Sequence, residues 1–295
     1  MKLIDLVTAQ SARLKQAGVS FGHGTLNAFD EAAWLVLWSL GIGFDELEAR
    51  AQKEVDAEAQ AKAEALVGER ISSRRPAAYL TKEAWLQNVP FYVDERTIVP
   101  RSLIAELLVD AEGGGTLDAW LSDETSRVLD LCTGNGSLAV IAAMAFPEVK
   151  VDATDVSEDA LAVARMNIER HRLQERIRVR QSDLYAQVDA RYDLILCNPP
   201  YVNSESMAAL PPEYQHEPRM ALDGGDDGMN FIRTIVGEAE AHLNPDGVLL
   251  LEIGHERVHF ERAFRGLEVV WLETSAGDDL VLAVSREALS RWSRR

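Results

Sequence analysis

The sequence contains little of what would place it in several common protein classes. Only two of its 295 residues are cysteines, Cys132 and Cys197, so it carries neither a disulfide framework nor a cysteine-rich metal site. Such scarcity is typical of the reducing cytosol. No apolar run approaches the roughly 20 residues of a membrane span, and no basic segment precedes an apolar signal core. The composition predicts a cytoplasmic protein with no membrane partner.

Basic residues are also scarce. The 30 lysines and arginines stand against 48 acidic residues, which gives a formal net charge of −18. A protein that binds duplex DNA needs a broad surface that neutralises phosphates. The charge therefore argues against DNA as a partner and favours a basic one.

The hydrophobic pattern divides the chain into three parts. Residues 1–76 read as a small helical domain, with one long, one-faced helix expected over 45–68. Residues 77–101 contain short β-prone runs that predict a hairpin connector. Residues 102–295 alternate strands and helices, and the glycines at 113–115 are interpreted as a loop within this part.

The alternation in the third part predicts an α/β fold with a doubly wound, mostly parallel, seven-stranded sheet. The segment between the last two strands is too short for a helical crossover, so these strands should pair antiparallel at the sheet edge. The strands are expected at 128–131, 149–153, 177–180, 194–197, 248–253, 269–272 and 280–284.

The tetrapeptide Asn198-Pro199-Pro200-Tyr201 follows the fourth strand of this sheet. Open α/β sheets bind their ligands at the carboxyl ends of strands. Two prolines turn the chain away abruptly and leave the Asn198 amide and the Pro199 carbonyl free to accept hydrogen bonds from an amino group. Taken alone, the tetrapeptide is equally typical of a strand-terminating turn.

A second constellation follows the first three strands. The loop Thr133-Gly134-Asn135-Gly136 opens a helix, and its glycines allow a ligand to approach the backbone closely. Asp155 ends the second strand, where a carboxylate can accept both hydroxyls of a ribose. After the third strand, Asp183 is placed to meet an adenine amino group and Leu184 to contact the ring.

Two other classes of chemistry fit parts of the sequence. Residues 134–139 also match the dinucleotide fingerprint, so a nicotinamide-dependent oxidoreductase is an alternative that the glycine loop cannot exclude. His255-Glu256-Arg257-Val258-His259 matches a zinc-protease helix motif. However, Gly254 ends the preceding strand, which puts the first histidine at a fraying helix start, so no metal site is predicted.

Asn-Pro-Pro-Tyr resembles the Asn/Asp-Pro-Pro-aromatic signature of S-adenosylmethionine-dependent amino-methyltransferases. The whole set of motifs resembles the protein-glutamine methyltransferase family. Its members share the signatures found here at 130–136, 198–201, 217–218, 221–222, 224–225, 227–228 and 251–254.

Other segments resemble a particular branch of that family. Residues 21–25, 79–81, 91–96 and 100–106, together with Cys132, are similar to the members that methylate a glutamine of large-subunit ribosomal protein three. The members that act on release factors carry a different sequence after the hairpin. The residues at 21–25, spaced as an ordinary helix-connecting loop, are candidates with the hairpin and residues 100–102 for the rim that selects the target.

The resemblance implies a class I, Rossmann-like methyltransferase that uses S-adenosylmethionine and acts on a basic ribosomal protein. A release factor is the alternative target, and a nucleic-acid amino group is a less favoured one. The implied catalytic residues are Asn198, Pro199, Pro200 and Tyr201. The implied cofactor-binding residues are Thr133, Gly134, Asn135, Gly136, Asp155, Asp183, Leu184 and Asn198.

Overall fold

The computed structural model describes residues 1–109, 117, 120, 121 and 125–294, so the glycines at 113–115 lie outside the described residues. The helices are α1 (Leu3–Gln16), α2 (Ala28–Leu40), α3 (Leu47–Arg50), α4 (Ala57–Ser73), α5 (Ala77–Thr81), α6 (Ile104–Val109), α7 (Ser137–Ala145), α8 (Glu158–Arg170), α9 (Ser204–Ala209), α10 (Asn230–His242), α11 (Arg257–Ala263) and α12 (Arg286–Ser293). The strands are β1 (Glu83–Leu86), β2 (Val89–Tyr92), β3 (Arg127–Leu131), β4 (Lys150–Asp155), β5 (Ile177–Gln181), β6 (Tyr192–Cys197), β7 (Leu243–Glu252), β8 (Val270–Thr274) and β9 (Gly277–Ser285).

Strands β3 to β9 form a seven-stranded sheet in the order β5-β4-β3-β6-β7-β9-β8, which confirms the predicted fold class. Strands β3 to β7 are parallel, and β9 runs antiparallel to both of its neighbours. Thr274 pairs with Gly277 across a tight turn, so β9 folds back between β7 and β8. The antiparallel strand therefore lies one position in from the edge, which β8 occupies.

The sheet is covered on both faces, as its nearly continuous apolar strands require. Helices α6, α7 and α8 contribute to the core on one face, and α10, α11 and α12 contribute to the core on the other. Strand β3 lies between β4 and β6, so the strand order reverses there. Open sheets of this type bind ligands outside the carboxyl ends of the strands at the reversal, between β3 and β6.

The amino-terminal region is helical, as predicted, and α1, α2 and α4 share its apolar core. The single helix expected over 45–68 is wrong. The backbone of residues 51–55 instead bonds to the start of the chain, with the Val55 N–H donating to the Met1 carbonyl at 2.8 Å. Asp56 then begins a new helix by accepting a hydrogen bond from the Ala59 N–H at 2.8 Å.

The hairpin β1–β2 packs against helix α8, and one side chain of that helix also reaches the glycine loop. The Asn167 amide on α8 accepts from the Tyr92 N–H at 2.7 Å and donates to the Tyr92 carbonyl at 3.0 Å. It also donates to the Asn135 carbonyl at 2.9 Å. Asn167 thus joins the connector to the glycine loop. The domain boundaries at residues 76 and 101 stay predictions, and no helix among the described residues is long and apolar enough to cross a membrane.

Candidate active site

Asn198 follows β6 directly and is half-buried at the carboxyl end of the sheet. Its side-chain amide and the Pro199 carbonyl make no hydrogen bond to any residue that the structure describes. Pro199 itself is buried, so the chain is fixed on either side of these groups. Two adjacent acceptor oxygens are therefore held in place without a protein partner.

A cleft of about 860 Å³ opens at this point, between the carboxyl ends of β3, β4, β5 and β6. Six of the predicted site residues line it: Gly134, Asp155, Asp183, Leu184, Asn198 and Pro200. The other five do not belong to its lining: Thr133, Asn135, Gly136, Pro199 and Tyr201. The structure thus brings both predicted constellations to one cavity, while the role of each residue stays a prediction.

The two loop glycines serve different geometric needs. Gly134 has φ +55°, and a Cβ added there would meet nothing within 4 Å, so the space above it is open. Gly136 has φ +80°, and an added Cβ would lie 3.1 Å from the Cβ of Ala164 on α8. Gly134 leaves room for a ligand, whereas Gly136 allows the loop to pack on a neighbouring helix.

Asp130, on strand β3, supports the glycine loop through hydrogen bonds, a role that was not predicted from the sequence. Its carboxylate is fully buried and accepts from the Thr133 hydroxyl and from the Ala139 N–H, the latter at 3.0 Å. Burial raises the pKa of Asp130 to about 7. The sequence did contain a sign of this role, because Asp130 is a carboxylate among the apolar residues of a buried strand.

Asp155 joins the loops that follow β3 and β4. Its Oδ2 accepts from the Gly134 N–H and its Oδ1 from the Ser157 N–H, both at 2.9 Å. Burial raises the pKa of this carboxyl group above its usual value. Each carboxylate oxygen can accept a further hydrogen bond, so the group remains able to bind ligand hydroxyls.

The residues around the glycine loop fit a nucleoside with an amino-acid tail. Asp183 is exposed, and its carboxylate has no hydrogen-bond partner among the described residues. Thr97 lines the cleft, and its buried hydroxyl has no partner; in the glycine loop, Asn135 Nδ2 also lacks one. Buried polar groups are normally satisfied, so an orphan hydroxyl in the cleft lining fits a polar ligand.

Three glycines surround Tyr201, and they explain why glycine recurs in the carboxyl-terminal motifs. A Cβ on Gly224 would lie 2.8 Å from the Tyr201 Cα, and one on Gly228 would overlap the Tyr201 carbonyl. A Cβ on Gly254 would lie 2.5 Å from ring atom Cε2. The backbone and the ring of Tyr201 are therefore both enclosed at close range.

The Tyr201 hydroxyl is directed at a buried carboxylate, 3.4 Å from Glu252 Oε1. The other oxygen of Glu252 accepts from the Ser102 hydroxyl at 2.6 Å and the Leu103 N–H at 2.9 Å. Burial raises the pKa of both Tyr201 and Glu252. Glu252, which the sequence analysis did not single out, thus connects Tyr201 to the segment after the hairpin.

Glu217 contacts both the 21–25 loop and the 100–102 segment, which were expected at the cleft rim. Arg101 donates to both oxygens of the Glu217 carboxylate, at 2.7 and 2.8 Å. His23 is buried with Nε2 3.4 Å from Glu217 Oε2. The side chains of His23 and Arg101 therefore contact Glu217 instead of facing solvent.

The zinc-protease motif does not form a helical pair of histidines. Helix α11 begins at Arg257, so His255 lies before the helix. His259 Nδ1 lies 2.6 Å from Glu256 Oε2 instead of facing a metal. Within the part of the chain that the structure describes, no group of three or more His, Cys, Asp or Glu side chains could hold a metal ion.

Comparison with known proteins places this fold and cleft in a class. The model for the Methyltransferase small domain matches residues 110–210, and the model for the PrmC N-terminal domain matches residues 5–81. The catalytic domain of hMettl16, solved in complex with a 3′UTR hairpin, is similar in fold, with a TM-score of 0.51 at 14% identity over 78% of this chain and 81% of that one. The protein is a class I methyltransferase that uses S-adenosylmethionine.

Curated relatives narrow the class to a family. The ribosomal protein uL3 glutamine methyltransferase of Burkholderia pseudomallei is 51% identical over 300 residues, covering 97% of this chain and 94% of that protein. The enzyme of the same name from Bordetella pertussis is 49% identical over 291 residues, covering 98% and 96%. The chain belongs to the family of ribosomal protein uL3 glutamine methyltransferases and is a protein-glutamine N-methyltransferase.

Proposed function

We propose that this enzyme methylates the side-chain amide nitrogen of a glutamine in ribosomal protein uL3, protein three of the large subunit. The similarity to uL3 enzymes over nearly the whole chain carries the choice of target. The free Asn198 amide and Pro199 carbonyl at the cleft support the chemistry.

The cofactor half of the cleft is assigned to the residues after β3, β4 and β5. With S-adenosylmethionine bound, Asp155 would accept the ribose hydroxyls, Asp183 would accept a hydrogen bond from the adenine amino group, and Leu184 would contact the adenine ring. The loop Thr133–Gly136 supports the amino-acid end, where the Asn135 amide has an unsatisfied donor. Asn198 lies at the boundary between this half and the substrate half.

Bound S-adenosylmethionine supplies an electrophilic methyl group on a positively charged sulfur. The amide nitrogen is a poor nucleophile because its lone pair is delocalised into the carbonyl, so the protein must act through position. Asn198 Oδ1 and the Pro199 carbonyl each accept one N–H of the substrate amide and direct its nitrogen at the methyl group. Such placement supplies several kcal/mol, up to about 7 to 11 in the best intramolecular models.

The same two oxygens stabilise the positive charge that develops on the nitrogen. No strong base is assigned, and the extra proton passes to water after the methyl group has moved. We also propose that the Tyr201 ring, which Gly254 and Glu252 hold in place, packs on the amide plane of the substrate glutamine.

Charge supports a basic protein as the partner. A net charge of −18 attracts a basic ribosomal protein through the solvent-screened field and opposes binding to DNA. A cytoplasmic location follows from this proposed substrate.

The target is tested by competition. Purified enzyme, labelled S-adenosylmethionine, uL3 and a release factor are combined at equal protein concentrations, and label is counted on each protein. We expect label on uL3 and far slower labelling of the release factor, with a rate at sub-saturating uL3 that falls as salt is raised. Preferential labelling of the release factor would overturn the target but not the cofactor or the role of Asn198.

A further inference from the structure

A short segment after the catalytic tetrapeptide carries two buried carboxylates that face the amino-terminal helical region. The segment is the 3₁₀ turn Pro212–His216 with the following Glu217. Glu213 accepts from the Ser20 N–H at 3.1 Å and from Arg74 Nη1 at 3.3 Å. Arg70, also fully buried, approaches the same oxygen at 3.5 Å.

Glu217 makes a second set of contacts, one helical turn further on. In addition to Arg101 and His23, it accepts from the Val99 N–H at 2.9 Å. The Tyr214 ring packs on two of these partners, 4.3 Å from the His23 ring and 5.5 Å from the Arg101 guanidinium carbon. Burial raises the pKa of Glu217, but Arg101 and His23 outweigh it and hold the pKa at about 2. The carboxylate is therefore charged at any working pH.

The next residues, 218–223, form one side of the cleft, and we call them the substrate wall. Pro218, Arg219, Met220, Ala221 and Asp223 line the same cavity as Gly134 of the glycine loop. At its far end the substrate wall pairs with the residue after Tyr201: the Val202 N–H donates to the Leu222 carbonyl and the Gly224 N–H to the Val202 carbonyl, both at 2.9 Å.

The two ends of the substrate wall are thus held differently. One end is bonded to the backbone beside Tyr201, and the other follows directly from Glu217, whose partners belong to the helical region and the connector. The glycine loop, Asp155 and Asp183 belong to other elements and make no contact with Glu213 or Glu217 in the described part of the chain. Loss of these carboxylates should therefore disturb the substrate half of the cleft and leave the cofactor half.

We propose that Glu213 and Glu217 are positioning residues through which the amino-terminal helical region sets the substrate wall for the protein substrate. The helical region then has a role beyond carrying a recognition surface. This inference rests on the proposed function, because the substrate whose binding it governs is uL3.

The principal test is Glu217→Gln, which keeps the shape of the side chain and removes its charge. We expect the KM for uL3 to rise at least about tenfold, while the dissociation constant of S-adenosylmethionine, measured by calorimetry, stays within about threefold. Hydrogen exchange at the amides of Val202 and Gly224, which donate the two hydrogen bonds at the far end of the substrate wall, should accelerate. Asp193→Asn is the matched control, because Asp193 also accepts several hydrogen bonds but lies at the opposite end of β6.

A milder variant covers the case in which Glu217→Gln does not fold. Arg74 is one-third exposed and has φ +59°, a conformation that asparagine tolerates. Arg74→Asn removes the Glu213 contact together with the hydrogen bonds to the Gly18 and Ala17 carbonyls, and it leaves Glu217 and its partners unchanged. It should raise the KM for uL3 in the same direction by a smaller factor. An unchanged KM in every folded variant, or unchanged exchange at Val202 and Gly224, would overturn the positioning role. Failure of the wild-type enzyme to label uL3 would instead overturn the proposed function, since the exchange measurement does not depend on the substrate.

Discussion

Gly254→Ala is the sharpest perturbation of the site that leaves every polar group in place. Gly254 has φ +53°, in the left-handed region, and an added Cβ would lie 2.5 Å from Tyr201 Cε2 and 3.0 Å from Cζ. The ring has little freedom to retreat, because the Tyr201 backbone is enclosed by Gly224 and Gly228. The substitution must therefore displace the ring or strain its surroundings.

Two contributions set the size of the effect. A non-glycine residue in the left-handed region costs about 1–2 kcal/mol. Overpacking a filled site costs roughly a further 1–3 kcal/mol. Gly18→Ala isolates the backbone contribution from the packing contribution. Gly18 also has a left-handed φ of +60°, but an added Cβ there would meet nothing within 4 Å. Gly18→Ala should lower the free energy of unfolding by the first contribution alone, and Gly254→Ala by roughly 2–5 kcal/mol.

Urea unfolding of both variants and the wild type measures the difference, and initial rates with S-adenosylmethionine and uL3 measure its effect on catalysis. We expect Gly254→Ala to lose methyl transfer, and Gly18→Ala to retain it under conditions where both are folded. Equal destabilisation of the two variants would refute the steric argument. Full activity of Gly254→Ala would show that the position of the Tyr201 ring does not matter for catalysis.

Three further changes test other parts of the structure. Asp155→Ala should weaken S-adenosylmethionine binding in calorimetry, because it removes the carboxylate assigned to the ribose. Burial raises the pKa of Asp130 from 3.8 to about 7, so between these values the folded protein keeps a proton that the unfolded chain has released, and stability falls as pH rises through that window. Asp130→Asn should remove about 4 kcal/mol of this pH dependence, seen as a smaller change in unfolding free energy between pH 4 and pH 8. Gly237→Ala in α10 should stabilise by about 0.5–1 kcal/mol, because the exposed helical site is open and the substitution improves helix propensity.

Each of these has a result that would count against it. Unchanged cofactor affinity in Asp155→Ala would remove the ribose assignment, and binding of a nicotinamide dinucleotide instead of S-adenosylmethionine by the wild type would remove the whole cofactor site. Identical pH profiles for Asp130→Asn and the wild type would mean that Asp130 is not the titrating group. A destabilised Gly237→Ala would show that the helix surface at that position is occupied.

The sequence was sufficient to predict the sheet and the ends of its strands. Strands β3 and β6 are short apolar runs, and the prolines after Asn198 mark where β6 ends regardless of what surrounds it. The cleft follows from these ends, because parallel strands present their carboxyl ends at one edge. Local pattern therefore predicted that Asp155, Asp183 and Asn198 would meet at this edge.

Contacts between distant residues were not predictable in this way. The helix predicted over 45–68 is interrupted before Asp56 because the backbone of residues 51–55 forms hydrogen bonds to the start of the chain. Glu217 was visible only as part of a family signature and Glu213 carried no signal, because their partners Arg101 and Ser20 lie 116 and 193 residues away along the chain. Gly254 was visible as part of a family motif. The reason that position 254 requires glycine is the nearby Tyr201 ring, a contact that appears only in the folded structure.

The most direct test of the central claim is fragment mass spectrometry of uL3 after incubation with S-adenosylmethionine and either the wild-type enzyme or Asn198→Ala. The account predicts one methyl group on the side-chain amide nitrogen of one glutamine with the wild type. With Asn198→Ala it predicts a rate at least about 100-fold lower, while cofactor affinity stays within a few-fold. A methyl group on a lysine, on the amino terminus or on copurifying nucleic acid, or undiminished methylation by Asn198→Ala, would contradict it.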